Sequence, residues 1–413
     1  MLVSRRNIVL GLGALGLAAC QGGVTAPIGA TAAAPQWPTV PNAGFDVWVG
    51  AFRNRATARG ISPATLDAAF RGVGFIPSVV DRDRNQFQKR RTLEDYLAIA
   101  ASEERVTKGR AALVRHGALL GRIEARYGVP EQIVTAIWGM ESKFGERRGE
   151  VPVISALATL AYDGRRASFF ENQLIAALQI VQAGDVSPRN MRGSWAGAMG
   201  HTQFIPTTFR AYAVDFTGDG RRDIWSDDPT DALASTAAYL KASGWQAGQP
   251  WGTEVTLPQD FAGGLGRGTK RTSAQWAALG VRNAGGGSLP SAGAGSILRL
   301  QAPGTPAFLV FHNFNVILRY NNSEKYGLGI GHLSDRINGA AGLRGDFGPD
   351  ENGLTLAGRK ELQRRLGQKG FDAGSPDGVI GDKTIAAVRA YQRARGLVVD
   401  GVASATLLRH LRA

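Results

Sequence analysis

Between residues 45 and 240, apolar side chains recur mostly at the spacing of one face of an α-helix. Ser62-Pro63 reads as a helix start, followed by Leu66, Ala69 and Phe70 at helical spacing, and Pro130-Glu131 opens a later helix. In that later helix Ile133, Val134, Ile137, Trp138, Met140 and Phe144 form one apolar arc at ~100° per residue, and Glu141 projects inside it. Glu141 is therefore expected to face the core or a cleft. Strand patterns are sparse, but short alternating or β-branched runs at 254–257 and 308–311 predict a small appended sheet. Between them, residues 283–296 are nearly all Gly, Ala and Ser and read as a mobile loop or insertion. Residues 339–352 read as a linker to a C-terminal unit at 353–413.

The C-terminal unit contains an internal echo, Pro376-Asp377-Gly378-Val379-Ile380-Gly381 against Val399-Asp400-Gly401-Val402-Ala403-Ser404. Each Asp-Gly turn precedes a helix started by a threonine-bearing segment, Asp382-Lys383-Thr384 and Ala405-Thr406. With a leading helix around Leu362-Gln363-Arg364-Arg365-Leu366, the segment predicts three packed helices. Gly370-Phe371, Asp377-Gly378, Gly381, Thr384, Ala387-Val388, Tyr391-Gln392 and Gly396-Leu397 run in an order that resembles the peptidoglycan-binding domain at the ends of many wall hydrolases.

The N-terminus follows a different pattern. Ser4-Arg5-Arg6 precedes an apolar run from Ile8 to Ala19, too short to span a bilayer, which reads as a secretory signal over 1–20. Leu17-Ala18-Ala19-Cys20 resembles a bacterial lipoprotein signal, and Cys20 is the single cysteine of the chain, so it makes no intramolecular disulfide and suits a lipid attachment point. Arg5-Arg6 also permits export by the twin-arginine route. Residues 21–42, rich in Ala, Gly, Pro and Thr, read as a flexible tether. The formal charge of +14 favours an anionic partner, for an exported chain anionic wall polymer more naturally than nucleic acid; charge alone equally suits a basic solubilising surface with no specific partner.

Composition removes several chemistries. The five histidines are scattered without metal-ligand spacing, which argues against a zinc peptidase or amidase, and neither a Gly-x-Ser-x-Gly elbow nor a phosphate-cradling loop is present. Cleavage of a glycosidic bond survives best, because a carboxyl withdrawn from water holds its proton and can donate it near neutral pH. The competing reading of Glu141 is a structural ion pair with an arginine. The stretch from Gly193 to Pro206 offers small residues that admit close backbone approach, with Ser194 and Gln203 as hydrogen-bonding groups; it equally suits a tight helix contact. Asp215-Phe216-Thr217-Gly218-Asp219-Gly220-Arg221-Arg222-Asp223 places oxygen donors at positions 1, 3, 5 and 9 of a calcium loop, with glycine at 6 and the Arg221 carbonyl at 7. Position 12 is Ser226, and a later carboxylate from Asp227, Asp228 or Asp231 would complete a weak structural calcium site; an ion-free Asp-Gly turn is the alternative.

Taken together, Trp138-Gly139-x-Glu141-Ser142-x-Phe144-Gly145, Arg165-Arg166, Gly197-Ala198-Met199-Gly200-x-x-Gln203-Phe204-x-Pro206, the Asp215 loop, Tyr239 before Gly244-Trp245, and Arg319-Tyr320-Asn321 resemble the lytic murein transglycosylase B family. The resemblance implies a mainly α (α+β lysozyme-like) fold over 43–338, with a small β element and an EF-hand-like loop, beside the three-helix wall-binding unit. It implies cleavage of the β-1,4 bond between N-acetylmuramic acid and N-acetylglucosamine in peptidoglycan. Glu141 matches the single catalytic acid. It would protonate the leaving oxygen and then take the proton of the muramic C6 hydroxyl, which closes a 1,6-anhydro ring. Ser194, Gln203, Tyr239, Tyr320 and Asn321 match glycan-binding positions, and Arg165 and Arg166 match basic residues near the stem peptide. Asp215, Thr217, Asp219, Arg221 through its carbonyl, and Asp231 match calcium ligands. No cofactor is expected for the chemistry. The implied setting is a monomer in the periplasm of a Gram-negative bacterium, anchored by lipid at Cys20 to the outer membrane, with glycan strands and stem peptides as partners. Two departures stand out: His201-Thr202 replaces the aromatic-glycine pair usual before the Gln, and the segment after Trp225 is long. A lysozyme-like hydrolase and a non-catalytic wall-binding lipoprotein are the rival expectations.

Overall fold

The structure, a computed structural model, describes residues 37–85 and 91–413. The signal, Cys20 and the tether as far as residue 36 lie outside the described residues. Two compact units emerge. One comprises 37–85 and Glu141–Tyr239, the other 91–140 and Leu240–Ala413.

The first unit is helical. Asn42 caps the helix Ala43–Ala58 by accepting the Phe45 amide at 2.9 Å, and Ser62 caps Pro63–Phe70 in the same way. The centre is the helix Val153–Asp163, in which every residue from 153 to 161 is buried. Its apolar circumference requires neighbours on all sides. Helices Ala43–Ala58, Pro77–Arg84 and Ala167–Gln182 supply them. The buried Thr159 hydroxyl is not left orphaned: its Oγ1 accepts the Ile76 amide, at the cap of Pro77–Arg84, at 3.1 Å. Phe45, Phe75 and Tyr162 close one side with ring centroids 5.7–5.9 Å apart. A two-stranded antiparallel ribbon pairs Val151–Pro152 with Arg192–Gly193.

The second unit begins with helices Leu93–Ala100 and Glu103–Tyr127, and carries an antiparallel five-stranded sheet in the order Arg271–Thr272, Ala294–Leu298, Ala307–Val310, Gly252–Thr256, Arg282–Asn283. The two expected strands are present at Gly252–Thr256 and Ala307–Val310, in register with Thr253 opposite Leu309. The expected loop at 283–296 is different. Its ends belong to the sheet, with Asn283 opposite Val255 and Ser296 opposite Val310. A Cβ on Gly295 would lie 2.8 Å from both the Val310 oxygen and Leu309 Cδ1. At Gly295 the missing side chain reflects close packing of strands, whereas Gly286, Gly287 and Gly293, in the strandless stretch between, have open space around them; composition alone does not separate the two.

The C-terminal helices Leu356–Gln368, Asp382–Ala394 and Ala405–Arg412 pack around Leu362, Leu366, Val388, Tyr391 and Leu411. The internal echo has a hydrogen-bonded counterpart. Gln363 Oε1 accepts the Gly378 amide at 2.7 Å, and Gln392 Oε1 accepts the Gly401 amide at 3.0 Å, so each glutamine holds one Asp-Gly turn. The threonine-bearing segments do open the two helices, at Asp382 and Ala405, with Gly381 and Ser404 as the capping positions; Thr384 is buried and donates to the Ala373 carbonyl. The segment 339–352 is fastened to the sheet, with the Arg344 and Gly345 amides donating to the Glu254 carboxylate at 2.9 and 2.6 Å.

Candidate active site

Glu141 is the penultimate residue of the helix Glu131–Ser142. Residues 133–140 are all buried, and Glu141 is half-buried where the helix runs out. Lys143 and Phe144 then adopt φ of 52° and 60°, and Gly145 follows at 88°, turning the chain sharply away. Non-glycine residues rarely take this conformation, and Gln203, with φ of 54°, is the other instance among the described residues. Ser142 holds the turn. Its buried Oγ accepts the Gly145 amide at 2.9 Å and donates to the His201 carbonyl at 2.5 Å.

His201 belongs to the loop that carries Ser194 and Gln203. Within that loop the Ser194 amide donates to the Ala198 oxygen at 2.7 Å, Ser194 Oγ accepts the Ala198 amide at 3.0 Å, and Met199 and Phe204 exchange backbone bonds at 2.8 and 3.0 Å. A Cβ on Gly193 would stand 2.2 Å from the Ala198 oxygen, so only glycine permits this closure. Gln203 Nε2 donates to the Arg148 and Gly200 carbonyls at 2.9 and 2.8 Å. Tyr239, on the helix Thr230–Ala242, is buried with its ring edge-on to Phe204 and Tyr212. A cavity of about 1190 Å³ is lined by Ser194, Trp195, Trp225, Arg192 and residues 145–151, among others; Glu141 is not among its lining residues.

Arg148 ties these parts together. Its Nη1 donates to the Trp225 and Ser226 carbonyls, and its Nη2 pairs with Asp227 at 2.6 Å. His201 Nε2 stands 2.7 Å from the same Ser226 oxygen, which identifies it as the protonated nitrogen, and burial lowers the pKa of the ring.

The Asp215 loop is closed by its own backbone amides on its carboxylates. Asp215 accepts the amides of Gly218 and Gly220, and Asp219 accepts that of Arg221. Asp231, 2% exposed, accepts the amides of Phe216, Thr217 and Asp223, so the late carboxylate is Asp231. Ligand oxygens of Asp215, Asp219 and Asp231 lie within 4.8 Å of one another, a donor set that suits a hard cation. Burial raises the pKa of Asp231.

Arg165 and Arg166 both engage Asp83, which is 1% exposed: Arg165 Nε donates at 2.7 Å, and Arg166 Nη2 pairs with the other oxygen while its guanidinium stacks on Phe170. Asp83 sits in an alternating charged run, Asp81-Arg82-Asp83-Arg84, that carries no local mark of a buried partner. Arg148 and Ser142 were likewise not singled out as functional, because nothing local marks a residue whose partners lie 53–79 positions away. Tyr320 and Asn321 lie at the end of the helix His312–Tyr320, in the other unit, both half-buried.

Comparison with known proteins follows the same division. A family profile described as "Transglycosylase SLT domain" matches residues 44–335, and a peptidoglycan binding domain profile matches 355–411. The chain is 36% identical over 222 residues to the membrane-bound lytic murein transglycosylase B of Escherichia coli; the match covers 53% of this chain and 60% of that protein, so it spans less than two thirds of the relative's length. The crystal structure of SltB3 from Pseudomonas aeruginosa in complex with NAG-anhNAM-pentapeptide is 48% identical, with a TM-score of 0.72 over 90% of this chain and 100% of that one. Escherichia coli Slt35 in complex with calcium is 29% identical, with a TM-score of 0.61 over 72% and 93%. The chain thus belongs to the SLT transglycosylase family, as a lytic transglycosylase of the B type with a C-terminal peptidoglycan-binding domain.

Proposed function

We propose that this protein cleaves the β-1,4 bond between N-acetylmuramic acid and N-acetylglucosamine in peptidoglycan and leaves 1,6-anhydro ends. The observation that carries the reading is the local architecture of Glu141: a half-buried carboxyl at the end of a buried helix, whose next residue is hydrogen-bonded into the loop bearing Ser194 and Gln203. Glu141 donates its proton to the leaving oxygen, then as carboxylate accepts the proton of the muramic C6 hydroxyl as that oxygen attacks C1. The nucleophile is tethered to the reacting sugar, so its effective concentration is high and one carboxyl suffices. Ser194, Gln203, Tyr239, Tyr320 and Asn321 orient the glycan. Arg165, with 48% of its side chain exposed, keeps donors for a stem-peptide carboxylate; Arg166 is mainly committed to Asp83 and Phe170.

The wider assignments are part of the same proposal. The catalytic domain spans 43–338 and the wall-binding domain 353–413, joined by 339–352. Calcium binds Asp215, Thr217, Asp219, Asp231 and the Arg221 carbonyl and braces the loop. No helix among the described residues is long and apolar enough to cross a membrane, and lipid at Cys20 anchors the protein to the outer membrane. Mass spectrometry of soluble products from purified peptidoglycan tests the reaction. The protein lacking residues 1–20 is expected to release muropeptides with 1,6-anhydro ends, and Glu141→Gln to release none above background. Reducing ends from the parent, one water heavier, would replace this reading with hydrolysis.

A further inference from the structure

We infer that Arg148 is a positioning residue of this active site, locking the turn after Glu141 and the side chain of Gln203 into one rigid unit with the segment that follows the calcium loop. The inference rests on the proposed reaction. Four bonds join this residue to two segments distant from it in sequence. Its backbone oxygen receives Gln203 Nε2 at 2.9 Å, its Nη1 spans the carbonyls of Trp225 and Ser226, and its Nη2 reaches Asp227. Two residues earlier, Glu146 donates its amide to the Lys143 carbonyl at 3.4 Å, and the Arg147 amide donates to the Ser142 carbonyl at 2.8 Å, so the guanidinium is linked to the helix end by one short turn.

His201 completes the arrangement and gives this chain its own version of it. The imidazole donates to the Ser226 carbonyl that Arg148 also holds, while the His201 carbonyl receives Ser142 Oγ. The departure from the family pattern at 201 therefore has a physical counterpart: a ring that hydrogen-bonds beside Arg148, its nearest nitrogen 3.3 Å from Arg148 Nη1. Two of the bonds brace backbone that carries unusual conformation, the positive φ of Lys143 and Phe144 and that of Gln203. Such conformations persist only where surrounding structure over-determines them. The carbonyl pair and the carboxylate present three acceptors to one guanidinium face, a demand that a lysine's point charge meets only in part.

The test compares the parent with Arg148→Ala, Arg148→Lys and Asp227→Asn, each lacking residues 1–20. Rates of anhydro-product release from defined glycan-peptide oligomers are measured together with hydrogen exchange read by mass spectrometry. Arg148→Ala is expected to lower kcat by about 10- to 100-fold with KM changed less than about threefold, because misplacement of a reacting group by about 1 Å carries a penalty of that size. Exchange is expected to rise in peptides covering 142–149, 199–204 and 224–228 and to stay at parent levels elsewhere. Arg148→Lys regains part of the loss. Asp227→Asn, which removes a 97% exposed partner but leaves the carbonyl bonds, stays within about twofold of the parent. An Arg148→Ala protein with parent kcat and parent exchange overturns the inference, as does exchange raised uniformly over the whole chain, which would make Arg148 a general stabiliser. A parent that releases no anhydro product overturns the reaction instead, and the exchange pattern still decides the role of Arg148.

Discussion

Asp335 and His332 lie one turn apart on the helix Glu324–Ile337, and burial moves their ionisations in opposite chemical directions. The Asp335 carboxyl is pushed up from 3.8 to about 7, although it accepts the Trp251 indole N–H at 3.2 Å. The His332 ring is pushed down from 6.5 to about 4. Between about pH 4 and 6.5 the folded chain holds the Asp335 proton that the unfolded chain has lost, and the unfolded chain holds the His332 proton that the folded chain refuses. The two contributions to the pH slope of stability cancel there. From about pH 6.5 to 7 the carboxyl acts alone and stability falls as pH rises. Asp335→Asn keeps an oxygen for Trp251 and removes the buried titration. It is expected to stabilise the protein at pH 7.5 by roughly 1–3 kcal/mol and to expose the His332 slope, with stability then falling as pH drops from about 6.5 to 4. Urea unfolding at half-unit pH steps measures both; a variant with the parent's pH profile would count against the assignment.

Among the elements, the Asp215 loop makes the clearest demand for something beyond itself. It gathers three carboxylates within ligand distance, one of them 2% exposed, and the donors recorded to them are uncharged: backbone amides and the Thr217 hydroxyl. Concentrated negative charge of this kind is repulsive until a cation shares it. Calcium added to metal-stripped protein is therefore expected to raise the unfolding midpoint, by the equivalent of about 2.7 kcal/mol when calcium stands at 100 times its dissociation constant. Asp219→Asn is expected to abolish the gain. Equal midpoints in calcium and in chelator would leave the loop an ion-free turn. The same element also shows why sequence left the late carboxylate open among Asp227, Asp228 and Asp231: Asp231 lies in the first turn of a helix after an excursion through Trp225 and Pro229, and its distance in sequence from Asp215 says nothing about its reach.

At the scale of the whole molecule, the C-terminal helices are attached through more than chain continuity. Arg359, 4% exposed, pairs with Glu94 and Asp95 of the helix Leu93–Ala100, with Asp350 at 3.1 Å, and with the Gly378 carbonyl at 2.7 Å. Removing the cation leaves Glu94, itself 7% exposed, without its counter-charge. Breaking a buried pair from one side costs about 3–5 kcal/mol. Arg359→Ala is accordingly expected to split a single calorimetric unfolding transition into two and to open 339–352 to proteolysis, while activity on short soluble glycans stays near that of the parent. One unsplit transition in the variant would show the C-terminal helices held by other contacts.

Local pattern determined much of this protein: periodicity the helix that bears Glu141 and the strands at 252–256 and 307–310, repeated Asp-Gly turns the three C-terminal helices, and donor spacing the Asp215 loop. Each depends on local spacing, which a linear chain records directly. Tertiary structure decided what those elements do to one another. Gly295 reads as looseness in sequence and is a point of strand packing; Asp83, unmarked in sequence, is the buried partner of Arg165 and Arg166; Arg148, equally unmarked, bonds with Gln203, Trp225 and Ser226. Burial, hydrogen-bond partners and pKa depend on atoms brought together from distant positions, so they exist only once the chain has folded.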